Sequence, residues 1–550
     1  MTCSKLFSGS LPELINEIIQ YFHYDYKTLY SCILVNRLWC RLAIPLLWKD
    51  PFSIKFPKSY HFIEMYLYNL NDDNKAKLNE YVIYNDLFPS NTIFNYSRFI
   101  QRLNTFQVCY SVEKWIATVR FSATEEQNSR YFMRIANLSH SQISNFTKLV
   151  YRLLFLTFIE NEVNLHSLEI TMFEYFDVTC ELILQNPNFI HNIKNLTLDL
   201  DEVTGNITKF SEFLCYNCNS ISSLYLLFPL YVDNYPTERS LSQIVNSQKN
   251  LKKILLGYSE FPLYHLLLLL KNPNCSNTLN TIIFYCVDFK NIIVLDEVFN
   301  QLNVLESIHI AYCYSLDSKF IQQINNINKP FKLKSLFLDE ILHIESIELL
   351  IQKSGGYLEN FGSINESQLL VQLFESVKKC CNKIKFLYLV AGLNDQNINL
   401  VFSLIENIKQ NLNYLFIETL NVELSSIILQ KLGQVLPFKL EYLSLHLSIN
   451  TSDFEMFLKN SQNTFIKILL IRNKKKEESE SIFPYLKEYI MKKKRVKHLA
   501  ILETFSSKGE NLFYLKDKVK EFELYDIQVL NYNDLSINIY DFINNNYLFM

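Results

Sequence analysis

The sequence predicts an α/β solenoid, a stack of strand–helix units, preceded by a small all-α module. Three observations carry that prediction. An apolar triplet with the spacing Leu-x-x-Leu-x-Leu returns about every 28 residues through most of the chain. Amphipathic helical patterns lie between the triplets. The first 50 residues break this rhythm and hold two of the 3 tryptophans, Trp39 and Trp48.

Residues 9–50 form the module. Ser10-Leu11-Pro12-Glu13 combines a serine N-cap, an early helical proline and a glutamate at N3, a capping box at a helix start. Leu11, Leu14, Ile15, Ile18 and Phe22 follow on one stripe. A second helix is expected over Tyr26–Asn36 and a third over Leu38–Leu47, with Trp39 in the core. Three short helices bury little area alone, so their apolar face is docked on the chain or offered to a partner.

Residues 51–100 show no repeat and read as a connecting region with some helix, for example over Tyr60–Leu70. Residues 101–163 read as divergent first repeats. Leu103-x-x-Phe106-x-Val108 fits the triplet, and extra helix is expected around Tyr151–Ile159.

The regular array spans 164–531. First anchors fall at Leu165, Ile193, Ile221, Leu251, Leu279, Leu305, Leu333, Leu358, Ile384, Leu412, Leu440, Phe465 and Val496. This period belongs to leucine-rich repeats. Each unit is one short strand and one helix, and neither buries its apolar face without neighbours. The stack is expected to bend into a horseshoe with parallel strands on the concave side and helices on the convex side. Val519-x-x-Phe522-x-Leu524 fits a late strand, and residues 532–550 read as a C-terminal cap.

Composition excludes several functions. The net charge of -3 offers no nucleic-acid or anionic-membrane signal. Only 9 glycines are present, with neither a dinucleotide fingerprint nor a phosphate-binding loop, so no cofactor is expected. Cys215-x-x-Cys218 has no second pair to complete four zinc ligands, so no metal site is expected. No acid/base pair or nucleophile motif stands out, which argues against an enzyme. The N-terminus carries no secretory pattern and no run spans a bilayer, so a cytoplasmic or nuclear location is expected. Lys474–Lys476 and Lys492–Arg495 read as solvated ends more readily than as a bipartite import signal.

Leu11-Pro12-Glu13-Leu14, Ile18, Leu29, Leu34-Val35-Asn36-Arg37-Leu38-Trp39 and Pro45-Leu46-Leu47-Trp48 together resemble an F-box. The whole chain is similar to F-box proteins with C-terminal leucine-rich repeats, particularly the fungal families. The resemblance implies a non-catalytic substrate receptor of an SCF-type ubiquitin ligase, marking a protein target for degradation. It implies a Skp-type adaptor on Leu11, Pro12, Leu14, Ile15 and Ile18, and through that adaptor a cullin. The competing reading is a repeat scaffold unconnected to ubiquitin, its N-terminal helices merely capping the array.

Side chains alternate along a strand, so the residues between anchors point away from the helices. Those positions hold Tyr225, Tyr285, His309, Phe337, Phe386, Tyr388, Tyr414, Phe416, Tyr442 and His446. An open aromatic surface for a protein target is expected there, densest from Phe386 to Tyr442.

Overall fold

In the computed structural model of the chain, the second and third positions of all thirteen triplets lie on strands, most first anchors come just before the strand, and helices alternate with the strands. The structure describes residues 12–545 except 24, 55–56, 58, 69, 82–91, 126–137, 201–205, 230–234, 261–262, 365–368, 391, 475–481 and 506–507. Contacts divide the chain into two compact units, Met1–Lys252 and Lys253–Met550.

The first unit opens with three helices: α1 (Pro12–Tyr21), α2 (Tyr26–Ile33) and α3 (Arg37–Leu47). The expected capping box falls on Ser10 and Leu11, which lie outside the described residues. The next two helices have resolved caps. Asp25 Oδ1 accepts from Thr28 N at 3.0 Å, and Asn36 Oδ1 accepts from Leu38 N at 2.9 Å and Trp39 N at 3.0 Å. Ile15, Ile19, Leu29, Cys32, Trp39, Ala43 and Leu46 form the core of this module. Trp48 leaves the module and packs on Tyr66 at 5.4 Å and Tyr96 at 4.3 Å, so the module is docked on the connecting region. The helix expected over Tyr60–Leu70 is present as Phe62–Leu67, and another runs over Asp72–Asn79.

Two long helices, Thr105–Glu125 and His140–Glu160, complete the divergent segment. Trp115 on the first is buried beside Phe146 on the second, and its Nε1 donates to Glu64 Oε1 at 2.9 Å. Among the described residues here, only Arg102–Asn104 is strand, and Leu103 pairs with Leu168, a second anchor. The triplet read from Leu103 is therefore out of frame, and Phe106 lies exposed on the helix. Numbered from Arg102–Asn104 as β1, strands β2 (Ser167–Thr171), β3 (Asn195–Asp199) and β4 (Ser223–Leu227) pair in parallel and in register. Gln248, fully buried, ties successive turns together. Its Nε2 donates to the Cys218 carbonyl at 2.8 Å and its Oε1 accepts from Ile221 N at 2.9 Å.

The second unit carries β5 (Lys253–Gly257), β6 (Thr281–Tyr285), β7 (Ser307–Ala311), β8 (Leu333–Leu338), β9 (Asn360–Ser363), β10 (Phe386–Val390), β11 (Tyr414–Glu418), β12 (Lys439–Leu447), β13 (Phe465–Lys474) and β14 (Val496–Phe505). Neighbours pair in parallel, a pattern that needs a crossover between strands, and the helices supply it. Strand β15 (Lys508–Asn511) turns back antiparallel on β14, and β16 (Gln528–Val529) adds one more parallel pair.

Tyr258, Cys286 and Tyr312 take left-handed φ values of 57°, 52° and 55° directly after β5, β6 and β7. The same turn is thus imposed three times without glycine, an uncommon conformation that the repeat geometry enforces. Cys313 is buried and points its Sγ at the Ala311 carbonyl.

Two further expectations fail. Register pairs Ile466, not Phe465, with Leu440 and Val496, so the first anchor of that unit is one residue later and Phe465 is 40% exposed. The strand expected from Val519 is a helix, Lys516–Glu523, and Leu524 is 81% exposed. Val519 and Phe522 are three apart, a spacing that a helix face satisfies as well as a repeat strand.

Candidate functional site

The module lies in the first unit, and all the expected strand-face residues except Tyr225 lie in the second. In the module, Pro12 and Leu14 are exposed and Ile18 is half-buried. Leu11 lies outside the described residues. Ile15 corrects the expectation: it is wholly buried against Leu29, Trp39 and Ala43, so it supports the helix rather than meeting a partner. Trp39 is core, as expected. Leu34 and Val35, in the turn between α2 and α3, are 75% and 48% exposed. Sequence periodicity passes over them because both belong to the turn, outside either helical stripe.

In the second unit, the register builds the strand face in columns. Phe386, Tyr414 and Tyr442 stand side by side on β10, β11 and β12. Phe337, Gly362, Tyr388, Phe416 and Ser444 make the next column. Gly362 is required where it stands. A Cβ there would sit 2.7 Å from Phe337 Cδ1 and 2.8 Å from the Tyr388 carbonyl oxygen. Its absence lets the rings on β8 and β10 approach to 6.3 Å. Tyr388 and Phe416 stack at 4.4 Å. The column of Phe386, Tyr414 and Tyr442 changes character toward β7, where it continues as Asn360, Ser335 and His309, and His309 Nδ1 and Asn360 Nδ2 both meet Ser335 Oγ, at 2.7 and 2.8 Å.

Alternation placed these side chains on the intended face, yet the face is not open. Tyr285, His309, Phe337, Phe386, Tyr414, Phe416, Tyr442 and His446 are buried, and Tyr388 is half-buried. Tyr225, in the first unit, is half-buried. Residues 532–545, read in the sequence as a cap of the array, lie on this strand face and cover Tyr285, Phe386, Tyr414 and His446. Tyr532 hydroxyl bonds to His446 Nε2. Tyr540 meets Tyr285 at 5.1 Å, and Phe542 meets Phe386 at 4.5 Å and Tyr414 at 5.6 Å. Lys253 Nζ donates to the Asn544 carbonyl at 2.6 Å. Burial pushes that ammonium down to about 8. His446 Nδ1 lies 3.1 Å from Glu418 Oε2, a contact that holds the Glu418 carboxyl below its usual range against the opposing effect of burial.

His309 makes the face sensitive to acid. Burial pushes its imidazole down to about 3, and the charges of Lys253 and Lys334 act in the same direction. An unfolded imidazole titrates near 6.5. Between these values the unfolded chain binds a proton that the folded chain refuses. Stability is therefore present above about 6.5 and lost as pH falls toward 3. His498, also shifted down by burial, adds to the loss. The urea midpoint is expected to fall between pH 7 and pH 5, and to fall less in His309→Asn. An equal fall in both proteins would show that His309 is not held neutral.

Among the described residues, no group of three or more His, Cys, Asp or Glu is placed to hold a metal ion. Cys218 is buried and Cys215 half-buried. Arg495, from the second basic run, is buried and donates to the carbonyls of Tyr489 and Ser461, so it is structural. Residues 475–476 of the first run lie outside the described residues. No described helix is long and apolar enough to cross a membrane. No protein-family model matches the chain, and no curated protein matches it.

Proposed function

We propose that the chain is the substrate-recognition subunit of an SCF-type (Skp–cullin–F-box) E3 ubiquitin ligase. The module binds a Skp-type adaptor, the repeats hold a protein target on the strand side of a horseshoe, and the chain performs no chemistry. Proximity to the transferred ubiquitin does that work. The observation that carries the reading is a division of labour within the module. Ile15, Ile19 and Trp39 close its core, while Pro12, Leu14, Leu34 and Val35 leave apolar surface in solvent next to a repeat array. A helical surface fixed by such a core loses little entropy on docking.

A specific observation also favours the second reading, in which α1–α3 serve as a cap of a scaffold. Trp48 commits one side of the module to Tyr66 and Tyr96. One experiment separates the two. The purified chain is mixed with a Skp-type adaptor and the complex resolved by gel filtration, with Leu14→Asp and Leu34→Asp compared. Both residues are exposed, so both variants are expected to melt within a few degrees of the parent and to lose the adaptor. A parent chain that forms no complex removes the ligase reading and leaves the scaffold.

A further inference from the structure

Residues 531–545 have the features of a bound ligand. The last backbone hydrogen bond joining this part of the chain to the sheet is Leu530 N to the Leu499 carbonyl, at 3.0 Å. Beyond it, no strand pairing holds the described residues. Leu535, Ile537 and Ile539 are buried while Ser536 and Asn538 between them are exposed. Leu535 ends the short helix Tyr532–Leu535 and Ile539 starts the next helix, so Ser536–Asn538 is a short non-helical link, and the segment keeps one side covered throughout. The helix Ile539–Asn545 then seats Tyr540 on Tyr285 and Phe542 between Phe386 and Tyr414. Polar contacts close both ends, Tyr532 with His446 and the Asn544 carbonyl with Lys253. An ammonium at the carbonyl end of a helix is the favourable polarity. The strands beneath the segment keep their own parallel ladder.

We propose that the strand face of the second unit is a receptor for a short apolar segment, and that residues 531–545 occupy it in cis until a target displaces them. The proposal rests on the reading of that face as the target-holding surface, and it adds the class of target. A displacing segment must present aliphatic side chains at every second position over five residues. An aromatic must follow directly, with a second one two residues later, as in Leu535-x-Ile537-x-Ile539-Tyr540-x-Phe542. Aromatic side chains seated in desolvated pockets dominate such interfaces.

The test uses a fluorescent peptide of residues 531–545 added in trans. A chain ending at Leu530 is expected to bind it saturably, one to one, while the intact chain binds at least tenfold more weakly. The peptide carrying Phe542→Ala is expected to bind the shortened chain roughly 30-fold more weakly, the size of a single hot-spot loss. A shortened chain that melts cooperatively yet ignores the peptide overturns the proposal. Should the shortened chain fail to fold, the full chain with Ile537→Asp and Phe542→Ala replaces it, and binding of the parent peptide is again expected. If that variant also fails to fold, or folds without binding the peptide, the segment is core and the proposal falls. No adaptor is present in these mixtures, so this outcome and the outcome of adaptor capture are independent.

Discussion

Replacing Phe386 with alanine is expected to destabilise the second unit by about 3–5 kcal/mol, the cost of truncating a fully buried phenylalanine. On an open surface the same change costs within about 0.5 kcal/mol. The difference arises from what surrounds the ring. Phe386 has no exposed surface and lies 5.8 Å from Phe337, 5.9 Å from Tyr388 and Tyr414, and 4.5 Å from Phe542. The first three neighbours belong to the strand face and the fourth to the C-terminal segment. Urea unfolding of Phe386→Ala, Phe542→Ala and the double variant separates the contributions. A coupling of about 0.5–3 kcal/mol between the two positions is expected for residues in contact. Additive losses would mean that the segment does not cover Phe386 in solution.

Trp115→Ala is expected to cost the first unit a similar amount, about 3–5 kcal/mol. Trp115 is 1% exposed, bridges the helices Thr105–Glu125 and His140–Glu160 through Phe146, and donates to Glu64. Glu64 is itself buried and keeps a second contact, His61 Nδ1 at 2.8 Å. Trp115→Phe retains an aromatic ring but deletes the donor. Its cost is expected to be smaller, about 1–3 kcal/mol, from a buried acceptor that loses a partner. Adding Glu64→Gln to Trp115→Phe is expected to recover part of that loss, because a neutral amide is cheaper to leave in a dry site than a carboxylate. Equal destabilisation by Trp115→Phe and Trp115→Ala, read from thermal melts, would show that the hydrogen bond outweighs the packing.

Most of the strands could be read directly from the repeat. The triplet repeats because every unit must bury the same three side chains against its neighbours, and that demand survives variation elsewhere. Errors occur where one spacing satisfies two structures. Phe465 and Ile466 are adjacent and both apolar, and only the ladder to Leu440 and Val496 decides between them. Val519 and Phe522 suit a helix face as well as a strand. The module core was only half legible. The stripe of α1 holds both Leu14 and Ile15, and which one turns inward depends on where α3 packs.

The strand face shows the limit more sharply. Alternation gave the direction of Phe386, Tyr414 and Tyr442 correctly, and their register confirms it. Exposure did not follow, because the cover over Phe386 and Tyr414 comes from Phe542, more than one hundred and twenty positions further along the chain. Its signature was present in the chain as Leu535-x-Ile537-x-Ile539. That alternation marks a segment with one apolar side, but nothing local specifies the surface on which it lies.

The ligase reading is tested most directly by hydrogen exchange of the intact chain with and without a Skp-type adaptor. Slowed exchange confined to Pro12–Leu47, with amides of β5–β14 unchanged, is the result the account predicts. An adaptor that leaves Pro12–Leu47 unprotected, or that protects the strand face instead, would contradict it.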